Sequence, residues 1–343
     1  MNILITGIHG FVGTNLLKKL AVEHTIYGLD IIQPSTKGVK HTYLWKDLYE
    51  GKITQNIDAI IHLAGKAHDT RNRSAAKVYF EVNTGLTQKI FDWYLASDTA
   101  HKFIFFSTAK AAAECVPNVL KEDVLPTPKG PYGESKIKAE NYILDALEKQ
   151  GVSRKSMSST EPGTDKPQNG KEVYIFRPCM IHGPGNKGNL NLLYSVVKKG
   201  IPWPLGAFEN HRTFTSIGNV CYAVNEVLTN DNVHSGIYNI GDDEPLSTNE
   251  LIELICSTLG KKARIWRIPQ KLMMGVAKIG GWLHLPLNPL RLQKLTENYV
   301  SSNDKIKKAL GIKRFPIDAR EGLRHTIMSF IKQTNHTKKC SMD

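Results

Sequence analysis

A doubly wound, parallel α/β sheet with a smaller C-terminal substrate-binding lobe is the fold class this sequence predicts. Three observations carry it. The chain opens on an apolar strand that runs into Gly7, Gly10 and Gly13 and then into a helical stretch at 14–20. Near-continuous apolar runs then alternate with helix-like stretches, the pattern of strands buried on both faces by crossover helices. After Arg177 the rhythm gives way to irregular, Pro- and Gly-rich sequence, which suits a lobe placed over a sheet.

The first strand ends at Gly7. Residues 25–29 form a second apolar run that closes on Asp30, and 59–63, 102–107 and 172–176 read as the third, fourth and fifth strands. Helices are expected between them, notably over 83–96 and 135–149. Residues 151–170 hold almost no apolar side chain, which predicts a mobile surface insertion without a functional role. Residues 236–240 read as a strand that rejoins the sheet. The expected division is a Rossmann-type dinucleotide-binding domain over 1–177, with a return to the sheet at about 214–241. Segments 178–213 and 242–332 make the substrate lobe, and 333–343 a tail.

A hydrophobic content of 41% over 343 residues supports a full core. No run of 18 apolar residues occurs, so no membrane span is expected, and a strand stands where a secretory signal would place its charged and apolar regions. The five cysteines are scattered and form no CxxC pair, which reads as reduced thiols of a cytoplasmic protein and as no metal site. The net charge of +13 is uneven: residues 261–343 hold 18 Lys and Arg against 5 Asp and Glu, and the remainder is balanced. That basic quarter fits a solvated surface, or one that meets an anionic substrate or peripherally contacts the inner, anionic face of a membrane. No helix-turn-helix, finger or RNA-binding motif accompanies it, so nucleic acid is not an expected partner.

Gly7, Gly10, Phe11, Val12 and Gly13 form a strand–turn–helix cradle for a diphosphate. Small residues let the backbone approach the phosphates, and the helix N-terminus offers unpaired N–H groups to their charge. Spacing alone is weak, since three glycines at these offsets arise by chance roughly 0.2 times in such a chain. The second-strand carboxylate, Asp30, lies seventeen residues after Gly13, where it suits adenosine ribose hydroxyls and repels a 2′-phosphate. No Arg follows it, so NAD is favoured over NADP. Asp47 and Leu48 are expected to flank the adenine, and Leu63, Ala64 and Gly65 to let the dinucleotide cross the strand ends.

Tyr132 and Lys136 stand four residues apart, on one face of a helix. A phenol of pKa ~10 is only about 0.1% ionised at pH 7, so use as a base needs a drop of about three units, or ~4 kcal/mol. One cation ~4 Å away at an effective dielectric of ~20 supplies about that much. Tyr194 and Lys198 share the spacing but follow no hydroxyl-bearing strand, and read as ordinary helix surface.

Residues 6–13 (Thr-Gly-Ile-His-Gly-Phe-Val-Gly), Asp30, His62-Leu63-Ala64-Gly65, Asn83-Thr84-Gly85, Ser107-Thr108, Tyr132-Gly133-Glu134-Ser135-Lys136 and Arg177-Pro178 stand in one order. Over nearly the whole chain the sequence resembles an extended short-chain dehydrogenase/reductase of the NAD-dependent sugar epimerase/dehydratase branch. The resemblance implies that Thr108 bonds the reacting sugar oxygen, that Tyr132 transfers the proton, and that Lys136 lowers the Tyr pKa and holds the nicotinamide ribose. It places Asn83 and Ser107 at the cofactor, with Asn83 supporting the active-site backbone. Lys66, Asn189 and Arg212 fall on the substrate side, with Arg212 on a diphosphate. It also implies a homodimer. One departure matters: sugar 4,6-dehydratases of this family carry an Asp-Glu pair after the catalytic Thr, whereas Ala109-Lys110 stands here. Dehydration is therefore disfavoured.

These readings converge on an NAD-dependent 4-epimerase of a diphosphate-linked hexosamine, foremost a UDP-N-acetylhexosamine, in cell-surface polysaccharide synthesis. A 4-keto-deoxysugar nucleotide reductase would use the same residues once, and a polyprenyl-diphosphate-linked sugar is the alternative substrate. A dinucleotide-sensing regulator is the reading from another class. The segment 268–295 mixes many Leu, Met and Trp residues with four Lys and Arg. It reads as part of the lobe core or as an interfacial segment.

Overall fold

The computed structural model describes the chain except residues 68–74, 117, 164–166, 168–169, 187, 284–286 and 340–343. Of Asn189 and 333–339 it describes the backbone alone. The strands are β1 (Asn2–Thr6), β2 (Thr25–Asp30), β3 (Val39–Leu44), β4 (Ala59–His62), β5 (Lys102–Phe106), β6 (Glu172–Pro178), β7 (Met180–His182), β8 (Phe214–Ser216) and β9 (Gly236–Ile240). The helices are α1 (Phe11–Leu20), α2 (Trp45–Tyr49), α3 (Ala76–Tyr79), α4 (Leu86–Ala96), α5 (Ala109–Ala112), α6 (Pro131–Glu148) and α7 (Arg154–Ser158), then α8 (Asn189–Lys198), α9 (Ile217–Thr229), α10 (Thr248–Thr258), α11 (Gln270–Trp282), α12 (Pro289–Thr296), α13 (Asp304–Leu310) and α14 (Ala319–Lys339). None of these helices, among the described residues, is long and apolar enough to cross a membrane.

Seven strands form one sheet in the order β3-β2-β1-β4-β5-β6-β9, all parallel. Side chains alternate between its faces. Ile3 and Ile5 pack with Leu16 and Leu20 of α1 and Val220 and Val224 of α9. Leu4 between them packs with Ile90 and Phe91 of α4 and Ile143 and Leu147 of α6. Burial on both faces is why these strands read as continuous apolar runs. The chain winds one way from β1 to β3 and the other way from β4 to β9, so the switch lies between β1 and β4, where Thr6 pairs with His62. The crevice beyond those carboxyl ends is where ligands bind in such sheets.

The lobe has its own cores. Leu190 and Tyr194 of α8, Leu251 and Ile255 of α10, and Leu323 and Ile327 of α14 make one. Leu205, Met273, Ala277 and Leu292 make another. Tyr194 is thus buried core rather than helix surface, in ring contact with Phe330.

Three further expectations need correction. β3 is an edge strand whose Lys40 and His41 are exposed, so it carries no apolar run to read. The first part of the insertion expected at 151–170 is anchored: Val152 and Met157 are buried under α6 and β9, and Lys305 donates to the Met157 carbonyl at 2.8 Å, while 164–166 and 168–169 lie outside the described residues. Two apolar residues among polar ones suffice to pin it. At 214, the chain first forms a separate two-stranded sheet, β7 with β8, and rejoins the large sheet only at β9.

Candidate active site

One cavity of about 750 Å³ lies over the switch point and takes in most of the predicted site. Its floor at one end is Gly7, Gly10, Phe11, Val12 and Gly13. Gly7 sits at φ +68°, and a Cβ there would lie 2.9 Å from the Ala64 nitrogen; a Cβ on Gly13 would lie 2.5 Å from the Ile8 carbonyl oxygen. Only glycine permits that packing of loop, helix and strand. α1 begins with no side-chain cap and no acidic residue in its first turn. Its leading N–H groups therefore face the cavity without an intrahelical acceptor, an arrangement that suits a diphosphate.

Asp30 ends β2 beside this loop. Its carboxylate accepts from the His9 backbone N–H at 3.0 Å and from Ile31 N–H at 2.7 Å, which fastens the strand end to the glycine loop. Remaining lone pairs can take ribose hydroxyls. Leu63 and Gly65 line the cavity, while Ala64 donates its N–H to Thr6 Oγ1 at 3.0 Å across the switch point. Asp47 and Leu48 are not brought into the cavity. Asp47 accepts from the Leu44 N–H at 2.7 Å at the start of α2, and Leu48 packs in the core under β2.

Tyr132 and Lys136 lie in the first two turns of α6, where Pro131 at the helix start and the left-handed Gly130 before it set the entry. Both line the cavity with Ser107 and Thr108 from the end of β5. Thr108 caps α5, its Oγ1 accepting from the Lys110 N–H at 3.3 Å. The Tyr132 phenol stands near this hydroxyl. Burial pushes that phenol above its ordinary value, the Thr108 hydroxyl pulls it back, and neighbouring Tyr79 raises it. The direction opposes the acidified phenol expected from sequence, where the cost of burial was not counted. Lys136 Nζ donates to the Phe106 carbonyl at 2.8 Å, and burial lowers its pKa to about 8 against the opposing pull of Glu140.

Asn83 falls in a π-helical segment, Phe80–Gly85, wedged between α3 and α4. Such segments often mark functional positions. Its Oδ1 accepts from the Lys66 N–H at 2.7 Å; its Nδ2 donates to the Lys66 carbonyl at 3.1 Å and to Ser135 Oγ at 2.9 Å. Ser135 Oγ in turn donates to the Tyr132 carbonyl at 2.9 Å. Asn83 is thus a fully buried clamp joining the strand end to the Tyr132 turn, and it does not itself line the cavity. Behind the site, Ser107 Oγ donates to Glu140, which pairs with Arg177 at 2.6 Å in full burial. Glu140 continues the Tyr132–Lys136 face one turn further, a spacing that could have revealed it.

The far end of the cavity is polar. Arg212 reaches it, as do Lys110, Glu114, Lys294, Glu297 and Tyr299, which the sequence did not single out; Lys66 lines the cavity beside Asn83. Arg212 donates to the Glu297 carbonyl at 3.3 Å and to the Lys294 carbonyl, so it caps the C-terminus of α12. Lys110 pairs with Glu114 at 3.3 Å and lies over the Tyr299 ring at 4.4 Å. Asn189 opens α8 next to Gly188, which lines the cavity, and its side chain lies outside the described residues. Among the described residues no cluster of His, Cys, Asp and Glu could hold a metal ion.

The model of the NAD dependent epimerase/dehydratase family matches residues 3–241. The chain is 29% identical over 351 residues to a UDP-glucose 4-epimerase of Vibrio cholerae, covering 97% of each. It is 25% identical over 317 residues to an N-acetyl-alpha-D-glucosaminyl-diphospho-ditrans,octacis-undecaprenol 4-epimerase of Escherichia coli O157:H7, covering 92% of this chain and 87% of that one. Among solved structures, the UDP-glucuronic acid 4-epimerase from Bacillus cereus in complex with NAD is similar at a TM-score of 0.70 and 20% identity, over 97% of both chains. That last likeness is one of fold.

Proposed function

The chain belongs to the NAD dependent epimerase/dehydratase family, and from that premise we propose that it is a 4-epimerase of a diphosphate-linked hexosamine, foremost a UDP-N-acetylhexosamine. The observation that carries this reading is a single cavity lined at once by the glycine loop, by Thr108, Tyr132 and Lys136, and by Arg212. The uncapped start of α1, Gly7, Gly13 and Asp30 fit a dinucleotide, and Lys136 is placed to hold its nicotinamide ribose. Bound there, NAD supplies the oxidation and re-reduction of the sugar at C4.

The chain's own groups move the proton. Tyr132 takes the O4 proton as C4 becomes a ketone, Thr108 donates to the resulting oxygen, and Tyr132 returns the proton once the 4-keto sugar has presented its other face. Half-buried in the cavity wall, the phenol depends on the Thr108 hydroxyl and the Lys136 charge to become a base. The step after Thr108 carries no acid/base pair for water elimination, because Ala109 is buried and apolar and Lys110 is engaged by Glu114. Arg212 and Lys66 give the cavity cations suited to a diphosphate.

A second carrier, a polyprenyl diphosphate, is favoured by one observation: exposed apolar residues of α11 and α12 adjoin the Arg212 end. Incubating the purified protein with UDP-GlcNAc and with UDP-GalNAc, with and without NADH, tests the reading. Interconversion without added dinucleotide is expected. Reaction only with NADH, at its expense, would mean a reductase. Inertness toward both sugars, with turnover of the polyprenyl-linked sugar, would move the substrate to the lipid carrier.

A further inference from the structure

Residues 261–296 contain eight Lys and Arg and no Asp or Glu. All eight are exposed. The same stretch holds a dense group of exposed apolar side chains. On α11, Met273, Ala277 and Gly280 face inward against Leu205 and Leu292. Beside that buried face, Leu272 (59% exposed), Val276 (45%), Ile279 (59%) and Leu283 (53%) recur at i, i+4, i+7 and i+11 and form one stripe in solvent. Trp282 is 81% exposed, and Leu290 of α12 is 71% exposed. Lys271 and Lys278 project from the side of α11 away from the buried face.

We propose that this face docks the enzyme on the surface of an anionic phospholipid bilayer, with α11 in the interfacial plane. An apolar stripe flanked by lysines is the pattern of a helix that lies at the headgroup boundary, where apolar burial and attraction to acidic lipids act together. Contiguous apolar patches of this kind mark interaction surfaces. A second copy of the chain is a poor occupant, since pairing the face with itself would bring cations against cations with no carboxylate from this segment between them. The face is also joined to the cavity: Arg212 donates to the Lys294 and Glu297 carbonyls at the end of α12, and Lys294 and Glu297 line the substrate end. Docking would therefore hold that end close to the bilayer, whatever reaction the cavity performs.

The test uses the full chain and vesicles of phosphatidylglycerol with phosphatidylcholine, against vesicles of phosphatidylcholine alone. Sedimentation with the anionic vesicles at low salt, reduced at high salt, is the expected result. The double variant Ile279→Ser/Trp282→Ser, whose side chains are exposed and whose unfolding temperature should match the parent, is expected to bind at least about ten-fold more weakly. Lys271→Gln and Lys278→Gln should each weaken binding about five-fold. No sedimentation with anionic vesicles at low salt, or binding unchanged in Ile279→Ser/Trp282→Ser, would overturn the proposal. So would light scattering that shows a dimer which this double variant dissociates, because the face would then be occupied by a second copy.

Discussion

Replacing Tyr132 by Phe is expected to lower turnover by at least ~10³-fold while leaving dinucleotide binding and the fold nearly unchanged. The substitution removes one oxygen atom and keeps the ring, which packs edge-on to Tyr79 at 6.5 Å between centroids. The phenol oxygen stands near Thr108, and its removal should cost no more than about 1 kcal/mol in stability. The glycine loop, Asp30 and Lys136 are untouched, so the groups suited to the dinucleotide remain in place. What disappears is the phenol hydroxyl that lines the cavity near Thr108 and Lys136 and can take and return a proton. Product formation measured beside dinucleotide retention separates the two effects. Residual turnover within ten-fold of the parent would show that another group carries the proton.

Lys136→Met should cost about 10²-fold in turnover and leave the protein at least as stable at pH 7. The second half of that expectation follows from the ammonium's position. It is buried, with one hydrogen bond to the Phe106 carbonyl, and its pKa is lowered to about 8 from an ordinary 10.5. Between these values the unfolded chain binds more protons at this residue than the folded one, so its contribution to stability rises with pH across that window. Below about 8 the charge is present in both states and the full cost applies, roughly 3 kcal/mol for a shift of this size. Methionine fills the same space without charge. Urea unfolding of the parent and the variant from pH 7 to 10.5 should show the variant ahead at pH 7 and the difference closing as pH rises. A variant that is less stable at pH 7, by a gap that stays constant up to about pH 10 and then narrows, would mean that the ammonium is held by attraction rather than strained by burial. The loss of turnover then identifies a group kept for chemistry at the expense of stability.

The fold was legible because both faces of the sheet are covered. Ile3, Leu4 and Ile5 must all be apolar, and the same holds for Phe103, Ile104 and Phe105, so the strands announce themselves. β3 stayed hidden because an edge strand need bury little, and the start of the 151–170 insertion misled because Val152 and Met157 are too few to form a pattern. At the site, the glycines and the Tyr132–Lys136 spacing report local geometry and were readable. Contacts between distant residues were not. Nothing in the local sequence says that Arg212 caps α12 eighty residues on, or that Lys110 lies over Tyr299. Asn83 was placed at the cofactor by its motif, yet its two hydrogen-bonding atoms are spent on Lys66 and Ser135. The direction of the Tyr132 shift was missed for a related reason, since charge spacing can be read along a helix but burial depends on what packs over it.

In the proposed reaction, C4 of the sugar is oxidised and reduced again within one cavity around Thr108, Tyr132 and Lys136. A hexosamine diphosphate carrying deuterium at C4 tests this most directly. The account predicts that the inverted product keeps the deuterium at C4, with none passing to water or to added dinucleotide. Product with hydrogen at C4, or label recovered in solvent, would contradict it.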